Sequence, residues 1–253
     1  MTIDSTQPVT PTAEPAPKSN VFQRIAGVLF APAKTFEEIA RRPDLLAPLA
    51  IIVLISLIVT VMIVPKMDFE ATVREQMESS GRNMSEQDMD RAARFGAAFA
   101  KTTAYASPIL TIPVLAIIAG ILLLAFRLFG GEGGFKQAFS VTIYAWFPHI
   151  IASIITAIIV VSRGTVTADE VGTAVLSNLG AFVDMKEQAV LYALLSSIDI
   201  FSIWTLTLLT FGFAAVSRMS KAKAAVIVVS LWVVTVVIKI ALAAFGAAAK
   251  AKA

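Results

Sequence analysis

The sequence contains no cysteine and only one histidine, His149. The lack of cysteine excludes disulfides, thiol nucleophiles and thiolate metal sites. A single histidine with few carboxylates near the apolar segments gives poor support for a metal site. Charged residues are also scarce, at 15% of the chain, against roughly 25% in an average soluble domain. We therefore expect neither a cofactor nor a metal, and a soluble enzyme is disfavoured.

Motifs of catalysis and of nucleic-acid binding are missing as well. The segment Gly130–Gly134 resembles a phosphate-binding loop only superficially, because no Lys-Ser or Lys-Thr pair follows it. Its glycines are better explained by a tight turn. No GxSxG or HExxH signature occurs; His149 and Ser153, four residues apart, are weak support for an intramembrane enzyme. The basic residues are spread over several loops, so no nucleic-acid partner is expected.

Residues 1–20 have no apolar stretch of the kind that a signal peptide requires. They contain Asp4 and Glu14 and are rich in proline. This composition predicts a disordered tail and not a targeting segment.

Long apolar runs dominate the remainder, and 57% of all residues are hydrophobic. A helix needs roughly 20 mainly apolar residues to cross about 30 Å of hydrocarbon. Five runs meet that requirement: 46–64, 105–129, 139–161, 189–216 and 224–246. Leu46 to Val64 is apolar all around the helical wheel, unlike a core helix of a soluble protein. The sequence predicts an all-α, polytopic membrane helix bundle with five transmembrane helices.

Two short amphipathic helices are expected before the first span, separated at Pro32. In the first, Ser19 or Asn20 caps a helix. Its apolar face would comprise Phe22, Ile25, Ala26 and Leu29, opposite Gln23 and Arg24. The pair is expected to lie at the membrane interface, with three basic side chains near lipid head groups: Lys34, Arg41 and Arg42. Equally, the helices could simply cap the bundle.

The one sizeable extramembrane connection covers residues 65–104. It has balanced charge, and Ser85 and Asp88 have the spacing of a capping box. The pattern predicts helices that continue into the second span.

Basic residues flank two connections that lie on the same side of a five-span protein. They are Lys34, Arg41 and Arg42 before the first span, and Arg218, Lys221 and Lys223 before the last. Because positive loops are retained in the cytoplasm, we expect a cytoplasmic N-terminus and an external C-terminus.

Two ionisable residues interrupt the last two apolar runs. Counted from Ser220, Asp199 lies 21 residues back and Lys239 lies 19 residues forward, so the two reach similar depth. Because an unpaired charge in a membrane is costly, we expect them to face each other or to share a polar pocket. This would be either an ion or proton relay or a structural pair that fixes helix register, and the structural reading is favoured.

His149 follows Pro148 midway along the third run. Pro148 frees the carbonyl group of Tyr144 and predicts a bend in the helix. Tyr144 and Trp146 flank the histidine, so His149 and Tyr144 join Asp199 and Lys239 as candidates for an intramembrane polar site.

Several motifs resemble bacterial members of the Yip1 domain family, over about residues 21–245. They are Phe30-Ala31-Pro32-Ala33-Lys34-Thr35-Phe36 with Arg42-Pro43 and Pro48; Gly130-Gly131 with Phe135-Lys136-Gln137-Ala138, Tyr144 and Pro148; and Asp199-Ile200-Phe201-Ser202-Ile203-Trp204 with Gly212.

This resemblance implies a five-helix membrane domain over residues 21–247, followed by a short tail at 248–253, in a bacterial plasma membrane. Eukaryotic relatives bind Rab-type GTPases, but the Asp-Leu-Tyr-Gly-Pro motif of that branch is absent, so Rab binding is not expected. For bacterial members the family supplies no activity that can be transferred.

Two functions remain open. The first is a non-enzymatic scaffold or organiser that contacts membrane lipids and either an unknown protein partner or a second copy of itself. The second is a small transporter or channel subunit that uses Asp199, Lys239 and His149. A second span made discontinuous by Pro108 and Pro113 would suit the transporter.

Overall fold

The computed structural model describes residues 19–79, 84–183 and 187–250. Its helices are α1 (Val21–Phe30), α2 (Pro32–Arg41), α3 (Leu46–Ile63), α4 (Phe69–Ser79), α5 (Glu86–Leu128), α6 (Phe135–Ala145), α7 (Phe147–Val161), α8 (Ala168–Gly172), α9 (Ala189–Leu195), α10 (Ile200–Ser217) and α11 (Lys221–Lys250). The predicted tail at 1–20 falls outside the described residues except for Ser19 and Asn20, as do residues 251–253 of the C-terminal tail.

Five helical stretches are long and apolar enough to cross a membrane, and no strand occurs in the described part of the chain. The stretches are Leu46–Lys66, Glu86–Leu128, Phe135–Val161, Ile200–Ser217 and Lys221–Ala248. The predicted all-α class and the five spans are confirmed. The protein is an integral, multi-pass membrane protein.

The second span is the C-terminal part of a single long helix. α5 has 43 residues, which corresponds to about 65 Å and is about twice the thickness of a bilayer core. Its first part packs on α4, where a Cβ atom at Gly96 would lie 2.8 Å from Cγ1 of Val73. Arg94 pairs with Glu70 across the same contact at 3.8 Å. The predicted helical segment that continues into the second span is confirmed.

The discontinuous second span that would suit a transporter is not formed, because α5 runs through both Pro108 and Pro113. Pro108 leaves the carbonyl group of Ala104 without its helical donor. The hydroxyl group of Ser107 donates to that carbonyl oxygen at 2.8 Å. A side-chain donor of this kind lets a membrane helix tolerate proline.

The third and fourth spans are interrupted. α6 ends at Ala145 and α7 begins at Phe147, so the predicted bend before Pro148 is confirmed. The prediction of one helix over residues 189–216 is wrong. The segment forms α9, then a break at 196–199, then α10, which begins at Ile200 because the Asp199 side chain accepts a hydrogen bond from the amide of Ser202.

The loops that connect the helices lie at the two ends of the bundle. At the end that carries α1 and α2, which we call the N-helix end, the amide of Glu132 donates to the carbonyl group of Ser217 at 3.1 Å. Arg41 and Arg218 line the same surface depression, so α2 lies next to the loop before α11. At the opposite end, Met67 forms a parallel bridge with Val166. The two basic connections therefore lie at the same end, as expected.

The core of the bundle lies where α2, α6 and α10 meet, and it includes Phe36, Val141 and Phe213. A glycine permits this close approach. A Cβ atom at Gly212 would lie 2.3 Å from Cγ1 of Val141 and 3.1 Å from Cδ1 of Phe36. Valine is stiff and Val141 is fully buried, so the contact has no room for a methyl group.

We expect Gly212→Ala to lower the stability of the purified protein by about 1–3 kcal/mol, because it overpacks this contact. Gly120→Ala is the matched control. Gly120 also lies inside a helix, but a Cβ atom there meets nothing within 4 Å, so this change should be neutral or slightly stabilising. Thermal unfolding of the three proteins in one detergent measures the difference. Equal melting temperatures for the two variants would contradict the packing described.

Candidate functional site

A buried arginine joins the two N-terminal helices to the bundle. Arg24 of α1 is only 7% exposed. Its Nη2 atom lies 2.9 Å from Oε1 of Glu38 in α2, and its Nη1 atom lies 2.6 Å from Oδ1 of Asp44, which precedes α3. Its Nη1 also donates to the carbonyl group of Arg42 at 3.0 Å. One guanidinium group thus ties together three successive segments of the chain.

Asp44 extends this arrangement to the third span. Its Oδ2 atom accepts a hydrogen bond from the hydroxyl group of Tyr144 in α6 at 2.8 Å, and its carbonyl oxygen accepts one from Ser140 at 2.7 Å. One helical turn away, the side chain of Gln137 donates to the carbonyl group of Ala40 at 2.7 Å. We call Arg24, Glu38, Asp44 and Tyr144 the Arg24 cluster.

Both charged partners inside α1 and α2 are held in their ionised forms. Burial alone would lower the pKa of Arg24, but hydrogen bonds and attraction from Glu38 and Asp44 outweigh it and raise that pKa. The pKa of Glu38 lies below its usual value, because Ser19 donates a hydrogen bond to its carboxylate and Arg24 adds a second. In this cluster two carboxylates therefore share one guanidinium group.

The outer surface of the helix pair is left uncovered. Phe22 and Phe30 are 70% and 84% exposed. The three basic residues predicted near head groups, Lys34, Arg41 and Arg42, are all exposed. Arg41 has only a loose contact of 3.7 Å with Glu37. This surface can contact head groups or another protein at the N-helix end.

The amphipathic pattern of α1 separates an apolar face from a polar face, but it does not determine which face packs on the bundle. Arg24, on the predicted polar face, is buried against the bundle, whereas Phe22, on the predicted apolar face, is exposed. The charged cluster explains the difference, because Arg24 points inward to reach Glu38 and Asp44. In the sequence, the only indication of this buried contact was a single arginine in α1 together with a carboxylate just before the first span.

Tyr144 and His149 do not share a polar site. Tyr144 bonds to Asp44, whereas Nδ1 of His149 lies 2.9 Å from the hydroxyl oxygen of Thr205 in α10. The His149 ring stacks on Trp146, with centroids 4.3 Å apart and planes 10° from parallel. These residues line a cavity of about 350 Å³ between spans. Ser153, four residues on, donates instead to the carbonyl group of Ile150 at 2.8 Å.

The expected ion pair between Asp199 and Lys239 is not formed in the structure. Asp199 caps α10, and its Oδ2 atom accepts from the amide and the hydroxyl group of Ser202 at 2.9 and 3.2 Å. The Nζ atom of Lys239 donates to the hydroxyl groups of Ser196 and Ser197, at 2.8 and 3.3 Å. The Lys239 and Asp199 side chains nevertheless lie at the same helix break, because α9 ends at those serines and α10 begins after Asp199.

Two buried oxygen atoms near this break have no hydrogen-bond partner. They are Oδ1 of Asp199 and Oδ1 of Asn178. The two residues form an antiparallel backbone bridge. Within the described residues no group of three metal-binding side chains occurs.

A model of the Yip1 domain matches residues 26–242. No curated protein and no solved structure matches the chain. The matched region begins two residues after Arg24 and contains the other three members of the Arg24 cluster. It also contains both breaks in the spans.

We expect Arg24→Met to destabilise the protein by about 2–3 kcal/mol, because it removes the shared partner of two carboxylates. The figure lies below that for a fully buried pair, since Glu38 and Asp44 are about one third exposed and water screens them in part. Arg41→Met is the control, because its own ion pair is loose and exposed and should contribute under about 1 kcal/mol. Thermal unfolding in detergent compares them; equal effects would show that the cluster does not hold the helices.

Proposed function

This chain belongs to the Yip1 domain family, and on that basis we propose that it is a non-enzymatic scaffold or organiser in the membrane. The helix pair α1–α2 presents a fixed surface beside the bilayer, and that surface binds a partner protein or a second copy of the chain. The surrounding lipids contact the spans and the basic residues Lys34, Arg41 and Arg42.

The docking of α1 and α2 by the Arg24 cluster is the observation that carries this proposal. A flexible amphipathic arm would bind a membrane without long-range contacts to the bundle. Here Asp44 connects α1 directly to Tyr144, 100 residues further along the chain. The helix pair is thus held in one orientation, while Phe22, Phe30 and the basic residues face outward. A rigid surface with aromatic and basic side chains favours specific recognition.

The proposed location is a bacterial plasma membrane, with the N-terminus in the cytoplasm and the C-terminus outside. Both basic connections lie at the N-helix end, next to each other at Arg41 and Arg218. Clustering of positive charge at one end supports the cytoplasmic assignment of that end.

Site-specific photocrosslinking tests the scaffold. A photoreactive residue at Phe30, introduced in cells that express the chain at its native level, should give a discrete protein adduct. Arg24→Met should remove that adduct, because the surface loses its fixed orientation, whereas Arg41→Met should retain it. An adduct of twice the mass of the chain would identify a second copy as the partner.

A photoreactive residue at Leu242 is the control for nonspecific adducts. Leu242 is an exposed apolar residue of the last span, far from α1 and α2 in the sequence. If Phe30 yields only the adducts seen at Leu242, the surface has no protein partner. If the Phe30 adduct survives Arg24→Met, the docked orientation is not what the partner recognises.

A transporter or channel subunit is the second candidate, and the interrupted fourth span favours it. Transport sites often lie where a membrane helix is broken and polar groups face a cavity. The break at 196–199 gathers Asp199, Lys239 and the buried oxygen atom of Asn178. Against this candidate, His149 and Tyr144 have separate partners.

Flux into vesicles containing the purified chain decides between the candidates. If the break is a coupling site, Asp199→Asn should abolish proton or monovalent-ion flux. Asp68→Asn is the matched control, because Asp68 also caps a helix, accepting from the amide of Ala71 at 2.8 Å, but lies in the connection after the first span. Under the scaffold proposal, folded wild-type protein gives no flux at all.

A further inference from the structure

An open apolar groove runs between α5 and α11 from the N-helix end. Its outer part has a volume of about 510 Å³ and is lined by Ala125 of α5, by Phe129 just after that helix, and by Val226 and Ile227 of α11. That volume lies within the range of about 300–1,000 Å³ that is usual for small-molecule sites. The groove faces outward between two spans, so its natural occupant in a membrane is hydrocarbon.

A second cavity adjoins the groove at Leu231 and lies deeper along α5, toward the middle of the membrane. Leu231 lines both the outer part and the 350 Å³ cavity that contains His149, Trp146 and Trp232. Along α11 the lining residues extend from Ala222 to Thr235. Thirteen residues of helix correspond to about 20 Å, and one leaflet of hydrocarbon is about 15 Å thick. The lining is therefore long enough to span one leaflet.

The mouth of the groove carries a lysine that no carboxylate of the described residues neutralises. Lys223 lines the mouth and takes part in no ion pair within the described residues. The neighbouring basic residues are engaged elsewhere: Arg218 pairs with Glu132 at 3.1 Å, and Nζ of Lys221 lies 4.9 Å from the centre of the Phe211 ring. An apolar channel with one free cation at the head-group level is complementary to an anionic phospholipid.

We propose that this groove binds one acyl chain of an anionic phospholipid from the leaflet at the N-helix end, whose phosphate group pairs with Lys223. The chain would pass Leu231 and end beside Trp146 and Trp232. The inference does not depend on the scaffold proposal, because it concerns a different surface and needs no partner protein.

A second copy of the chain is a less suitable occupant of the groove. In a two-fold dimer about the membrane normal, the same ends of both copies meet. The two Lys223 side chains, which have no carboxylate partner among the described residues, would then lie near each other, and their charges would repel. A lipid phosphate group instead neutralises Lys223.

Tryptophan fluorescence provides the test, because two of the three tryptophans line the inner part of the groove. The third, Trp204, is changed to Phe to remove its signal. The protein is reconstituted in vesicles that contain either dibrominated phosphatidylglycerol or dibrominated phosphatidylcholine, since bromine on an acyl chain quenches nearby indole rings. We expect the anionic lipid to occupy the groove about fivefold more strongly, from the attraction of one lysine to an anionic surface.

Charge variants establish whether Lys223 causes that preference. Lys223→Gln should reduce the ratio to about one, and Lys223→Arg should retain it. Lys221→Gln removes the same charge from the same loop and should leave the ratio near the wild-type value. Equal losses in the two Gln variants would overturn the proposal in favour of general surface attraction, as would the absence of any preference in the wild type.

Filling the groove tests the site of the acyl chain. Ser230 lines the groove, whereas the neighbouring Val229 does not. Ser230→Phe should weaken quenching by both lipids, and Val229→Phe should not. If neither lipid quenches the wild-type protein, and chemical crosslinking in the vesicles yields a dimer, the groove is covered by a second copy and the lipid proposal fails. Failure here would leave the Phe30 crosslinks of the scaffold proposal unaffected.

Discussion

The hydrocarbon of a bilayer offers no hydrogen bonds, so every backbone group in the spans must find a partner within the protein. This constraint explains where the helices of this chain are regular and where they are not. α5 continues through Pro108 because Ser107 donates to the carbonyl group that the proline leaves free. The fourth span is interrupted only where other groups replace the helical bonds: the Asp199 carboxylate accepts from the amide of Ser202, and the amide of Ile200 donates to the carbonyl group of Ser177 at 3.2 Å.

The number of spans could be predicted from the sequence, whereas the interruptions could be predicted only in part. A run of about 20 apolar residues has few stable alternatives to a membrane helix, and each of the five predicted runs corresponds to one span. The bend before Pro148 was visible because proline acts locally. The break at 196–199 was not, because it depends on a backbone bridge between Asn178 and Asp199 from another part of the chain. A hydropathy profile reflects only the apolar content of each stretch of sequence, so it does not detect a bridge to a distant segment.

The candidate sites show the same division between local and long-range information. The basic residues Lys34, Arg41 and Arg42 are exposed, and their expected contact with lipid head groups stays a prediction. Arg24 was not expected to be buried, since the partner that requires it, Asp44, is 20 residues away and is itself held by Tyr144. Equal depth of Asp199 and Lys239 was a sound inference from chain length. It did not determine their partners, because the serines that end α9 offer Lys239 nearer hydroxyl groups.

Charge is used differently in the three polar regions of this protein, and the difference supports separate roles for them. In the Arg24 cluster both carboxylates pair with one buried arginine, so the cluster fixes the position of α1 and α2. At the helix break, Lys239 donates to two serine hydroxyl groups and Asp199 accepts from Ser202, while Oδ1 of Asp199 has no hydrogen-bond partner. Lys223 lies at the mouth of an apolar groove and has no carboxylate partner among the described residues. Since a cation at the membrane surface attracts anionic lipid, the proposed selection of lipid rests on this lysine and not on the paired cluster.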